Sequence, residues 1–327
     1  MRRSYSLLLS TLLLMGVSGN LSARQLVTLP IQLPSITEDA EVATPLTWTT
    51  VAMADSADSY TVKYNIAYPT DGEEALVNAI RRWINDELTP TTYDEDTGKE
   101  VKVNPYTGSL DNGREVVSYY VKREAAQLKA DYEEMTADSE GGEDGESMQW
   151  PASESDVEIK LDGQTDQFLS MTSSTYDYMG GAHGISTFAG VTFSKATGKQ
   201  LTKVVKANSA RQMQALLLKG ACEYFSQGGE KVTVGNVKQY LQLEGNVMPL
   251  PSVEPYLTEK GVMFVYQQYE IACYAAGMVS FCVPYKRIWN YLTPEAKAVL
   301  PASYAPQTTT ATTTKRTVTK GKRPVRR

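Results

Sequence analysis

The feature that most constrains the fold is a change of period along the chain. Residues 60–69, YTVKYNIAYP, place Val62, Tyr64, Ile66 and Tyr68 at alternate positions, the period of a half-buried strand. Pro69, Thr70, Asp71 and Gly72 give a turn. Then Ala75, Leu76, Ala79, Ile80, Trp83, Ile84 and Leu88 recur at helical spacing with charges opposite, until Pro90 ends the pattern. Residues 91–112 are dense in Asp, Asn, Thr and Gly and are expected as a long loop. A second helix is expected over 113–135, with Val117, Tyr120, Val121 and Leu128 on its apolar face. From Asp156 the period returns to two. VEIKLDGQ, 168–178 and 185–193 read as strands, and KATGK at 195–199 reads as a hairpin turn with glycine where a positive φ is needed. Further on, a helix is expected over 209–226, stopped by Gly228 and Gly229, and a short one over 234–243. Two apolar strands follow in GVMFVYQQYEI and MVSFCVPYKRI. Thr293 and Pro294 open a last short helix.

The two ends differ from the body. Arg2 and Arg3, a leucine-rich run of about 11 residues and the small residues up to Ala23 read as a secretory signal, with cleavage expected after Ala23. That run is too short to span a bilayer. No cysteine follows it, and no other stretch approaches ~18 apolar residues, so the expected product is an exported chain, periplasmic or extracellular. Nine of the 32 basic residues lie in the two ends, 1–23 and 307–327, which hold no acid. Residues 24–306 therefore carry 23 basic against 38 acidic residues. A body so acidic repels nucleic acid and anionic lipid, whereas the basic, threonine-rich tail is expected to be disordered and to reach anionic surfaces. The expected organisation is a signal at 1–23, a flexible leader at 24–58, a smaller strand–helix part at 59–150, a larger part at 151–306 and the tail at 307–327.

Three cysteines, Cys222, Cys273 and Cys282, do not make a disulfide framework. Cys273 and Cys282 lie close enough to pair across a hairpin; the reading adopted is three buried free thiols. The acidic, glycine-rich ADSEGGEDGES lacks the ordered spacing of a calcium loop and reads as solvated.

The only histidine, His183, lies in MGGAHGIS at 179–186. Catalysis would require a nucleophile beside it, and no serine sits in a nucleophile-elbow motif. A zinc site would require further His or Cys ligands. No metal or cofactor is therefore expected. Gly180, Gly181 and Gly184 are expected to give the turn backbone angles closed to other residues and to aim the ring at a neighbouring strand, with Glu270 as its expected partner. Tyr178, Tyr266, Tyr269 and Tyr274 are either an aromatic surface for a glycan or protein, or ordinary core and sheet residues. The candidate ligand-binding set is Tyr178, Gly180, Gly181, His183, Gly184, Tyr269, Glu270 and Tyr274.

Two segments, YMGGAHGISTFAGVTFSKATGKQLT and GVMFVYQQYEIACYAAGMVSFCVPYKRIWNYLTPE, occur in this order with a helix between them. Together they resemble the extracellular domain of the RsiV-like family, which includes a lysozyme-sensing anti-sigma factor and the N-terminal part of a peptidoglycan deacetylase. The resemblance covers about 165–302 and extends more weakly over 60–130. It implies an α+β fold with a mainly antiparallel sheet. It also implies an envelope-associated binding or sensory module for a lysozyme-like protein or a peptidoglycan fragment, without chemistry of its own. The sequence departs from the anti-sigma members in having no transmembrane helix or cytoplasmic segment, from the deacetylase in having no appended catalytic domain, and from many relatives in placing Cys273 where they have proline. The alternative is a glycan-modifying enzyme that uses a pair of carboxylates, and the sequence does not name the pair.

Overall fold

In a computed structural model, residues 44–139 and 150–306 are described. The expected signal, most of the leader, the acidic stretch from 140 and the basic tail lie outside them. Strand β1 (Thr47–Ala57) and β2 (Tyr60–Asp71) form a hairpin across two residues. Helix α1 (Glu74–Leu88), a small hairpin of β3 (Thr91–Asp94) and β4 (Lys99–Lys102), and helix α2 (Gly113–Ser139) follow. Then come β5 (Ser153–Gln164), β6 (Phe168–Tyr178) and β7 (Ile185–Ser194). The first sheet has the order β1-β2-β5-β6-β7. Only β2 and β5 run parallel, and their connection carries both helices, as a parallel crossover requires.

Those helices cover one face of the sheet. Val62, Tyr64, Ile66 and Tyr68 point to it at alternate β2 positions, with Val157, Ile159, Leu169, Met171, Val191 and Phe193 on the neighbouring strands. They meet Leu76, Ile80, Trp83 and Ile84 of α1 and Val117, Tyr120, Val121 and Leu128 of α2. The apolar alternation of the strands and the helical stripe thus close one core.

A second layer packs against the other face at one end. It holds α3 (Ala210–Phe225), a three-stranded antiparallel sheet of β8 (Tyr256–Leu257), β9 (Gly261–Val265) and β10 (Ser280–Pro284), and the short helices α4 (Tyr285–Ile288) and α5 (Pro294–Ala298). The layers are stitched by Leu257 N donating to Thr192 Oγ1 at 2.9 Å, and by Phe168, which faces this second core while Leu169 faces the first. The fold is α+β with mostly antiparallel strands, as the resemblance implied.

Four expectations are corrected. Residues 47–57, expected as leader, form β1; an edge strand buries little, and only Val51 of it is buried. The expected loop 91–112 contains the β3–β4 hairpin, turned by Gly98 at φ 63°. The expected helix 234–243 is only a 3-10 turn at Val237–Gln239. All three cysteines are free, but Cys222 alone is buried; Cys273 is exposed and Cys282 half-buried. The first sheet also takes strands from both sides of residue 150. Among the described residues, no helix is long and apolar enough to cross a membrane.

Candidate functional site

The second layer covers only part of the sheet's outer face. What remains is a groove of about 910 Å³ whose floor is set by strand register. Ala54 pairs with Lys63, Lys63 with Asp156, and Asp156 with Tyr176; one step along, Ala52, Asn65, Glu158 and Ser174 form a parallel row. These positions alternate with the buried ones, so the strands that supply apolar residues to the helices supply polar ones here. Lys63 is paired with Glu154 at 3.2 Å and Glu158 with Lys160 at 2.6 Å. Ser186 and Met278 close one end of the groove.

At that end the glycine–histidine loop meets the loop between β9 and β10. Gly180 and Gly181 have φ of 92° and 88°, as expected of the turn, and Tyr178 Oη donates to Gly181 O at 3.1 Å. Gly184 acts differently from the expectation. Its φ is not positive; a Cβ there would lie 2.6 Å from Asp177 O and from the Tyr176 ring, so glycine is required by close approach. The β7 edge beside it is capped by two side-chain amides. Gln267 accepts from Phe188 N at 3.1 Å and donates to Phe188 O at 2.7 Å, and Gln268 accepts from Ser186 N at 2.8 Å. Glutamine side chains here occupy the place of a sixth strand and fix the opposing loop.

That docking brings His183 onto Tyr274, stacked at 3.6 Å between centroids and 18° between planes. The ring nitrogen Nδ1 lies 2.9 Å from Gly184 O, a carbonyl that also accepts from Tyr274 Oη at 2.8 Å. A carbonyl only accepts, so Nδ1 carries a proton; in the neutral ring Nε2 then accepts from Tyr269 Oη at 3.3 Å. Tyr269 is 55 % exposed and holds φ at 65°, a strained value for a bulky residue.

The expected partner of His183 is not Glu270. Its carboxylate accepts from Ser252 N at 2.6 Å, Ser252 Oγ at 3.1 Å and Gln267 N at 2.7 Å. An ionised carboxylate is better satisfied by backbone N–H groups at a turn than by one exposed imidazole. Of the tyrosines, Tyr266 belongs to the core, with its hydroxyl on Pro249 O at 2.8 Å, whereas Tyr269 and Tyr274 form the aromatic platform. No carboxylate, serine, threonine or cysteine bonds to the His183 ring among the described residues, and none of them form a cluster of three or more metal-ligating side chains. Sequence reasoning missed Gln267, Gln268 and the groove floor; the polar alternate positions of β2 and β5 were the available signal.

On the opposite face, beneath α2, lies a cavity of about 420 Å³ lined by Glu87, Glu124, Asp177, Ser155 and Tyr64. Ser155 Oγ donates to Asp177 Oδ1 at 2.8 Å. Burial pushes Glu124 and Asp177 above the usual carboxylate range, and pushes Glu87 up to about 7.

Two family models match the chain. One, a protein of unknown function called DUF3298, matches residues 198–286, and one described as deacetylase PdaC matches 55–186. The platform forms where these regions meet, His183 in one and Tyr269 and Tyr274 in the other. Solved structures are similar over most of their length. A DUF3298 family member from Bacteroides fragilis has a TM-score of 0.58 at 18% identity, with 76% of this chain and 94% of that chain covered. A DUF3298 family protein from Pseudomonas aeruginosa PAO1 has a TM-score of 0.50 at 16% identity, with 77% and 96% covered. At such identities the likeness establishes the fold alone. A search of curated proteins returns no match.

Proposed function

We propose that this protein is an exported, envelope-associated binding module whose sheet groove receives a cell-wall glycan strand. The observation that carries this reading is the groove itself. It is an open groove of about 910 Å³, floored by Asn65, Asp156, Ser174 and Tyr176 and lined at one end by Ser186 and Met278, which follow His183 and Tyr274 by three and four residues in the chain. Ligand sites combine apolar or aromatic walls with a few fixed polar groups, and a sugar presents both a C–H face and ring hydroxyls to such a surface. The matches to DUF3298 and PdaC, and the RsiV-like resemblance, support an envelope setting.

A second reading takes a lysozyme-like protein as the ligand. It is favoured by the exposed rim of the two loops, where Met179, Ile185 and Tyr269 are each at least half exposed. In the alternative of glycan-modifying chemistry, Asp156 and Glu158 are the carboxylates that line the groove, and Glu158 is held by Lys160. One calorimetric and product-release experiment separates the three. The full chain is titrated with chitooligosaccharide, with peptidoglycan fragments and with lysozyme. The glycan reading expects saturable sugar binding without new reducing ends or released acetate, weakened about tenfold by Tyr274→Ala or Tyr176→Ala. Binding of lysozyme alone replaces it with the protein reading, and released product replaces it with the enzyme.

A further inference from the structure

We propose that the cavity between α2 and the first sheet is a second binding site, which takes a primary ammonium group. It lies on the face opposite the groove and measures about 420 Å³. Tyr64 of β2, Ser155 of β5, Asp177 of β6, Glu124 of α2, Glu87 of α1 and Lys102 of β4 line it. Tyr64 is the observation that points to a ligand. Its ring belongs to the first core and is only 6 % exposed. The hydroxyls of the buried Tyr68, Tyr120, Tyr266 and Tyr285 each donate to a backbone carbonyl. That of Tyr64 has no hydrogen-bond partner among the described residues. Burial, then the Glu124 and Asp177 carboxyls, raise it above the usual tyrosine range, so it faces that pair across the cavity. A hydroxyl drawn this far from water is costly to leave unpaired.

The two acids are short of donors. Ser155 Oγ donates to Asp177 Oδ1 at 2.8 Å and also adjoins Glu124, so one hydroxyl proton serves two carboxyl groups. Neither acid has an ion-pair partner among the described residues. The nearby cations are engaged elsewhere. Lys102 holds Asp86, with Nζ to Oδ2 at 2.5 Å, and Arg123 Nη1 donates to Val103 O at 3.0 Å and Asn104 O at 3.2 Å. Asp86 and Glu87 of α1, Glu124 and Asp131 of α2 and Asp177 of β6 thus outnumber Lys102 and Arg123 around the cavity. No three metal-ligating side chains converge among the described residues, so the cation that fits is one held by hydrogen bonds. An ammonium carries three N–H donors, and Glu124, Asp177 and Tyr64 Oη offer three acceptors. Burial raises the proton affinity of Glu124, Asp177 and Glu87, so protons compete with the ligand and its affinity rises with pH.

The test titrates the full chain by calorimetry at pH 8 with n-butylamine and with Nα-acetyl-lysine amide. Tetramethylammonium, which carries the charge without an N–H, is the control. The expected result is saturable binding of both amines, about tenfold tighter than of tetramethylammonium. Affinity should be about tenfold weaker at pH 5, where the acids hold protons and the amines stay charged. Tyr64→Phe keeps the buried ring and should weaken binding about threefold. Glu124→Gln with Asp177→Asn should abolish it, and Tyr274→Ala on the other face should leave it unchanged. Tighter binding of the lysine side chain than of butylamine assigns the site to a peptide, and equal affinities assign it to free amines; either keeps the ammonium. The proposal is overturned if neither amine binds, if tetramethylammonium binds as tightly, or if affinity is the same at pH 5 and pH 8. It is also overturned if Tyr64→Phe, or the double variant folded by circular dichroism, binds as wild type does. None of these titrations involves the groove, so the glycan reading stands or falls separately.

Discussion

Tyr269 spends backbone strain at an exposed position, which core packing does not explain. Its φ of 65° costs about 1–2 kcal/mol for a non-glycine residue, and its ring is more than half exposed. Glycine there relieves the strain but raises the entropy of the unfolded chain, so Tyr269→Gly should leave stability within about 1 kcal/mol of wild type. Ligand affinity should fall sharply; unaltered binding in a calorimetric titration would remove Tyr269 from the site. The loop glycines separate two causes. Gly181 has a positive φ but open space around it, so Gly181→Ala should cost about 1 kcal/mol from the backbone alone. Gly184→Ala should cost more, about 1–3 kcal/mol, because the methyl group meets Asp177 O and the Tyr176 ring. Urea denaturation that ranks them in the opposite order would contradict this packing account. The glycine-flanked histidine was legible in MGGAHGIS. Its neighbours were not, because Tyr269 and Tyr274 arrive from 86 and 91 residues away.

Helix α2 rests on the sheet through an acidic seam. Glu124 faces Asp177 of β6, with Ser155 between them and Arg123, Asp131 and Tyr64 nearby. Glu87 of α1 faces Lys102, beside Asp86 and the Trp83 ring. Burial is the largest cause of the upward shift in all three carboxyls, so the folded state holds their protons more tightly than the unfolded chain does. The sign follows from that difference. Their contribution is fully present below the unfolded value, near 4.5 for Glu87, and is lost as pH rises through the folded value of about 7. The urea midpoint should therefore fall between pH 5 and pH 8. Glu87→Gln should flatten that fall and raise the midpoint at pH 8, and Glu124→Gln should act in the same direction. A midpoint that climbs with pH over this range, or a Glu87→Gln profile that overlays wild type, would contradict the assignment. Both helices were readable from their apolar stripes. The burial of their acids was not, because the spacing shows which face a residue occupies but not what later lies against that face.

At the scale of the molecule, β6 is the wall both cores share, with Phe168 facing one and Leu169 the other. The first sheet draws β1 and β2 from before residue 150 and β5 to β7 from after it. Residues 44–306 should consequently melt in one cooperative transition by calorimetry and circular dichroism alike. A fragment of 44–150 should fail to fold, because β2 loses β5, its partner on one edge, and α1 and α2 lose half the apolar surface they cover. A folded, cooperatively melting 44–150 fragment would show two independent domains.

What the sequence determined by itself was local. The period of two in 60–69 and 156–178, the helical repeat before Pro90, the Thr293 cap and the glycine turns depend on neighbours a few residues apart, and the structure keeps them. Strand β1 and the β3–β4 hairpin escaped because edge and surface strands bury too little apolar side chain to impress a period. The tertiary structure decided the rest. The parallel pairing of β2 with β5, the glutamine caps on β7 and the stacking of His183 on Tyr274 each depend on residues roughly 80 to 95 apart in sequence. Side-chain chemistry limits which such contacts are favourable, but only the closed chain brings their partners within hydrogen-bonding distance.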